Sequence, residues 1–191
     1  MSFFLGIFPT KEASDKIQVV TDKMVPVFEG FGIPVRWSKV ENFHISLIYF
    51  GEKLPFYKKL YFKYRLNNFL LRKFKIKFNT VKLGISRRYK ELIYLDLLEG
   101  GDEMRKLFLE LEQVLKTRNE GNFTPHLTLG RVSKDLTNQE YSNICRDLQT
   151  VSKGLAVEDI EFVVDEIKLI KSIEGNYEVL MSFTDSSSIR L

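Results

Sequence analysis

Residues 44–50 read His-Ile-Ser-Leu-Ile-Tyr-Phe, and residues 126–129 echo their opening as His-Leu-Thr-Leu. The first run is β-branched and aromatic and stops at Gly51, while the second follows Pro125, so both are expected as strands. His44 and His126 are the chain's only histidines, and each opens the pattern H-x-[S/T]-L. With 22 Ser+Thr and 24 Leu among 191 residues, a given His heads that pattern by chance roughly one time in 70, and both do so about once in 5,000. Their separation of 82 residues is close to half the chain, as two related halves require.

The spacing has a chemical meaning. On a strand, residues i and i+2 share a face, so His44 goes with Ser46 and His126 with Thr128. If the two faces meet, two imidazoles and two hydroxyls enter one cleft. Imidazole titrates near neutrality, so one ring serves as base while the other, protonated, serves as acid. Hydroxyls donate to phosphate oxygens and anchor them as charge builds. Two histidines and the single Cys145 leave no Cys/His-rich zinc set, and no disulfide framework is available. Cys145 is expected as a small core residue, and Trp37 either stacks on a base or packs in the core.

Around these motifs the pattern alternates between strands and helices. Residues 3–8 read as a buried strand. Thr10 caps a helix with Ile17, Val20, Met24 and Phe28 inside, and residues 32–40 look irregular. Pro55 opens a second helix with Tyr57, Leu60, Tyr61 and Tyr64 as its apolar stripe. Residues 73–78 alternate strictly, and the apolar phase flips after Asn79, which places a bulge there. Residues 92–98 and 127–132 are further strands. Asp102 caps a third helix, and a Thr137/Glu140 capping box opens a fourth. Residues 160–173 and 177–183 form a final hairpin about Gly175-Asn176. The order β-α-β-α-β-β-α-β-α-β-β has no linker, so two interlocked lobes in one domain, residues 1–191, are expected.

Charge is unevenly spread. The chain has 29 Lys+Arg and 25 Asp+Glu, but residues 53–90 hold 13 of the basic residues and none of the acidic ones. Aromatics such as Tyr57, Tyr64 and Phe74 are interleaved there; the simpler reading is a solvated helix face followed by gatekeepers on a strand edge, and the other is a polyanion site. No 18-residue apolar run or cleavable leader is seen, so an intracellular chain with no membrane contact is expected.

HISL and HLTL resemble the paired signature of the 2H phosphoesterase superfamily. The surroundings are similar to those of its RNA 2′,3′-cyclic phosphodiesterases, also called 2′-5′ RNA ligase-like proteins. Val35-Arg36-Trp37 with Glu41-Asn42-Phe43-His44, Phe50-Gly51-Glu52, and residues 123–131 (FTPHLTLGR) carry the likeness, with Ser172, Gly175 and Tyr177 as a looser match. The resemblance implies an α+β fold of two pseudo-symmetric lobes, each an antiparallel sheet with outer helices, around an active-site cleft. It implies that His44 is the proton donor and His126 the proton acceptor, with Ser46 and Thr128 on the phosphate. The implied partner is RNA or an oligonucleotide ending in a 2′,3′-cyclic phosphate, opened to a 2′-phosphomonoester without metal or cofactor by a cytoplasmic monomer. Action on 2′-5′ linkages, or RNA binding without catalysis, are the competing expectations. Arg131 is a further candidate for substrate binding, although strict alternation turns it from His126 unless Gly130 bulges the strand. Three positions depart from the family pattern. Ser46 stands where Thr is commoner, Ser2-Phe3 replaces an Arg near the start of the first strand, and residues 84–87 (GISR) replace Gly-x-Phe-Pro.

Overall fold

The computed structural model of the chain describes residues 1–84, 90–118 and 123–184. Of the segment at 84–87, Ile85, Ser86 and Arg87 lie outside the described residues, as do Arg88 and Tyr89. The elements in chain order are β1 (Ser2–Ile7), α1 (Lys11–Gly30), β2 (Val35–Trp37), β3 (Ile45–Gly51), α2 (Phe56–Asn67), β4 (Phe74–Leu83), β5 (Leu92–Glu99), α3 (Gly101–Leu115), β6 (His126–Val132), α4 (Asn138–Lys153), β7 (Glu161–Val164), β8 (Glu166–Ile173) and β9 (Asn176–Thr184). The fold is α+β. Its antiparallel strands run β7-β4-β5-β6-β3-β1-β8-β9, with β2 also paired to β6.

That path divides into two four-strand halves, β3-β1-β8-β9 and β6-β5-β4-β7, which meet where Ile45 pairs with Leu127. Apart from β2, which sits against β6, the chain crosses between the halves twice, entering the second at β4 and returning to the first at β8. Apolar side chains from both halves join one core, with Leu5, Ile45, Leu95 and Leu127 fully buried at its centre. Burying each such side chain contributes about 1.5–3 kcal/mol.

Each histidine motif ends in a β-bulge. In β3, Leu5 pairs with Ile48 but Gly6 with Ser46, so Leu47 is the extra residue. In β6, Ile93 pairs with Gly130 but Tyr94 with Thr128, so Leu129 is the extra residue. In both strands the motif leucine and its successor (Leu47 with Ile48, Leu129 with Gly130) are buried in succession, and the alternation restarts after them.

Local signals account for most helix ends. The Thr10 hydroxyl accepts the Ala13 N–H, and Thr137 and Glu140 form the full capping box. The expected bulge of β4 lies between Phe78 and Val81. Other expectations are corrected. α3 begins from Gly100 rather than from an Asp102 cap, because Gly100 adopts φ +85° and the Asp102 carboxylate instead meets Arg105. The buried side of α2 is Phe62 and Leu66, with Phe62 on Phe50 at 4.7 Å; Tyr57, Leu60 and Tyr64 face solvent. This helix carries apolar residues on two sides, so periodicity alone picks the wrong one. Residues 32–40 contain β2. The run 160–173 is two strands broken at Asp165, one in each half, and the β8–β9 turn falls on Glu174-Gly175, both at positive φ. Trp37 takes the core role, edge-on to Phe28 at 5.6 Å. Cys145 is half-buried on α4, where burial pushes its thiol pKa up.

Gly130 leaves the space through which β2 reaches β6. A Cβ there would lie 3.0 Å from the Trp37 ring and 3.1 Å from the Arg36 carbonyl oxygen. Gly130→Ala is expected to destabilise the fold by about 1–3 kcal/mol, read from the urea midpoint. An unchanged midpoint would show that β2 yields without cost.

Candidate active site

The site grows from the single pair that joins the halves. Antiparallel residues directly opposite each other share a face, and Ile45 and Leu127 point into the core. Counting outward, His44 stands across from Thr128 and Ser46 across from His126, all four on the face away from the core. An antiparallel pair has a local two-fold axis through its centre, and here that axis exchanges the two motifs. The hydroxyls and imidazoles expected to converge are therefore brought together by register.

Both rings are held in the same way. His44 Nδ1–H donates to the Asn42 carbonyl at 2.7 Å, and His126 Nδ1–H donates to the Thr124 carbonyl at 2.7 Å. A backbone carbonyl can only accept, so each neutral ring is fixed with its Nε2 lone pair available. The Ser46 hydroxyl donates to His44 Nε2 at 2.8 Å.

The surroundings break the symmetry. His44 lies between Phe4, centroid 4.8 Å away, and Phe8, stacked at 5.7 Å, with Tyr177 edge-on at 5.3 Å. Gly6, opposite Ser46, carries no side chain, which leaves the Phe4 ring its place. A Cβ at Gly6 would sit 3.1 Å from the Phe4 ring. His126 has Tyr94 edge-on at 5.6 Å and Asp96 opposite it in register. Asp96 is ion-paired with Lys82. The bulge at Leu129 turns Arg131 to the histidine face, where its charge acts on both His126 and Tyr177. Arg131 also meets Glu91 at 3.1 Å. Strict alternation would have hidden this residue, and the bulge delivers it.

Phe4, Phe8, Tyr94 and Asp96 carry no motif signal in the sequence; they are found only by strand register. Among the described residues no group of three or more His, Cys, Asp or Glu is placed to hold a metal ion. A groove of roughly 750 Å³ lies between β4 and α4, lined by Leu83, Cys145 and Ser152 and by neither histidine.

Burial lowers the pKa of His44 from 6.5 to about 4, opposed by the Asn42 carbonyl and reinforced by charge on His126. The action of the His126 charge on His44 places the two rings within electrostatic reach. Burial also lowers the pKa of His126, with Arg131 adding to the effect and Thr124 and Asp96 opposing it. Both shifts favour neutral rings in the fold, so unfolding takes up protons between the folded and unfolded pKa values. Stability is full above about pH 6.5 and falls as pH drops toward 4, by about 3 kcal/mol for His44 alone. Denaturant midpoints measured from pH 7 to pH 4 should show this fall, and His44→Asn should flatten it. A slope that survives the substitution would place its origin elsewhere.

Comparisons with known proteins bear on the fold and the family. No curated protein matches the chain. Among solved structures, E. coli LigT complexed with 3′-AMP is similar with a TM-score of 0.70 at 16% identity, covering 97% of this chain and 98% of that one. E. coli LigT complexed with phosphate gives 0.68 at 17% identity, covering 96% of each chain. The protein TT0787 of Thermus thermophilus gives 0.63 at 17% identity, covering 97% and 98%. Identity this low makes the likeness one of fold. The model of the 2′-5′ RNA ligase superfamily matches residues 38–176, which include both histidine motifs and the bulges that follow them. With two H-x-[S/T]-L strands paired about one axis and that match over most of its length, the chain belongs to the 2′-5′ RNA ligase superfamily of 2H phosphoesterases.

Proposed function

We propose that the protein is a metal-independent RNA 2′,3′-cyclic phosphodiesterase that opens a terminal cyclic phosphate to a 2′-phosphomonoester. The observation that carries this reading is the two-fold pairing of His44 and Ser46 with His126 and Thr128 on one face. In the proposed step, His126 Nε2 takes a proton from water as the water oxygen bonds to phosphorus. The P–O3′ bond breaks, and protonated His44 gives its Nε2 proton to O3′. Ser46 and Thr128 donate to the non-bridging oxygens, and Arg131 supplies positive charge beside them. The product leaves as the 2′-monoester, with His44 neutral and His126 protonated; proton exchange with solvent resets the pair.

The surroundings support this direction of reaction. Phe8 and Tyr177, both partly exposed, offer the apolar surface a nucleoside needs, and they lie beside His44, where the ribose oxygen departs. The polar side has Asp96 opposite His126 in register, with the Arg131 charge acting on that ring, and there water enters. His44 is neutral in the free protein, and an anionic phosphate beside it favours its protonated form, so substrate binding carries a proton in with it. The family's description also favours a second reading, cleavage or ligation of 2′-5′ linkages at the same site, since the chemistry at phosphorus is shared.

Pure protein should open a cyclic-phosphate-ended oligonucleotide in excess chelator, with a 2′-phosphate identified as product. Turnover of 2′-5′ oligoadenylate alone would favour the second reading, and no turnover of either ester would remove both. His44→Ala and His126→Ala should each lower kcat by about 10²–10⁴-fold. An aryl diester with a nitrophenolate leaving group, which departs unprotonated, should largely rescue His44→Ala but not His126→Ala; equal rescue would reject the assigned roles.

The dependence on pH follows from the same shifts. With both free-state pKa values below 6.5, kcat/KM should be bell-shaped with its optimum between about pH 4 and 6.5. On the acid side the base is lost, and on the alkaline side the acid is lost. The optimum of kcat should lie higher, because bound phosphate protects the imidazolium.

A further inference from the structure

Arg36 stands directly opposite Arg131 where β2 pairs with β6. Opposite residues share a face, and the flanking Val35, Trp37 and Val132 are turned to the core. Both arginines therefore lie on the face that carries the histidines, and both are exposed. Like charges directly opposite each other destabilise a sheet, and no described residue is bonded to the Arg36 side chain. Arg131 gives one N–H to Glu91 at 3.1 Å, which orients its guanidinium. Each guanidinium carries five N–H donors in a rigid fork that matches the oxygens of a phosphate. Two such forks side by side beyond the reacting centre form a site whose unfavourable charge an anion relieves.

The spacing decides which anion. Arg131 follows Thr128 by three residues, one of them spent in the register shift, so it stands about 7 Å farther along β6 than the hydroxyl that anchors the reacting phosphate. A neighbouring phosphate of the same strand fits that offset, with Arg131 between the two phosphates and Arg36 on the outer one. We propose that Arg36 and Arg131 form a second phosphate subsite, which holds the phosphate on the 5′ side of the terminal ribose and makes an oligonucleotide end a better ligand than a mononucleotide. This rests on the phosphodiesterase reading for the identity of the first phosphate.

The test is calorimetric titration with adenosine 2′-monophosphate and adenosine 2′,5′-bisphosphate, which requires no turnover. In the wild-type protein the second phosphate should tighten binding about tenfold. Arg36→Gln should bring the ratio of the two Kd values close to one. Arg36→Lys should keep part of the gain, since it retains the charge but not the fork. A wild-type ratio near one, or a ratio that Arg36→Gln leaves at its wild-type value, would overturn the subsite. Failure of the phosphodiesterase reading shows separately, as uncleaved cyclic esters alongside intact binding of these nucleotides.

Discussion

The site depends on a single antiparallel contact, Ile45 against Leu127. That pair is fully buried, so hydrophobic packing holds its register from beneath while the four polar side chains occupy the face above. A slip of one residue would send the histidines into the core and the leucines to solvent. Register here is specified by the cost of burying imidazoles in an apolar interior. The same alternation thus maintains both core and chemistry, and the bulges at Leu47 and Leu129 bend the strands just past the reacting groups.

Symmetry of backbone is combined with asymmetry of surroundings. The two carbonyls that fix the ring tautomers are equivalent under the local two-fold, as are the hydroxyls. What differs is the neighbours: Phe4 and Gly6 of β1 with Phe8 just past its end on one side, Tyr94 and Asp96 of β5 on the other. A symmetric pair of imidazoles has no direction; these neighbours supply one.

Much of this was legible in the sequence, for identifiable reasons. The H-x-[S/T]-L repeat fixes which side chains share a face, and Thr10, Thr137 and Glu140 mark helix starts by local hydrogen bonds. The bulge of β4 showed as a change of apolar phase. Where the reading failed, tertiary context decided. α2 offers apolar residues to two sides, and only the position of Phe50 selects Phe62 over Tyr64. The break at Asp165 shows only as a change of apolar phase, from Phe162 and Val164 to Ile167 and Leu169, which a bulge within one strand would give equally. Arg131 could be placed only once the register shift at Leu129 was known, and the Arg36–Arg131 pairing required the register of β2, a three-residue strand with no periodic signal of its own.

The course of the chain also bears on its synthesis. β1 pairs on one side with β8, and Ser2 is matched with Ser172. β1 leaves the ribosome long before β8 and must wait for it before both of its edges are paired. Such distant pairing lowers folding speed and leaves a long apolar edge open during translation. A nascent chain arrested after α4 would hold both histidine strands and yet lack β8, the strand that covers the second edge of β1.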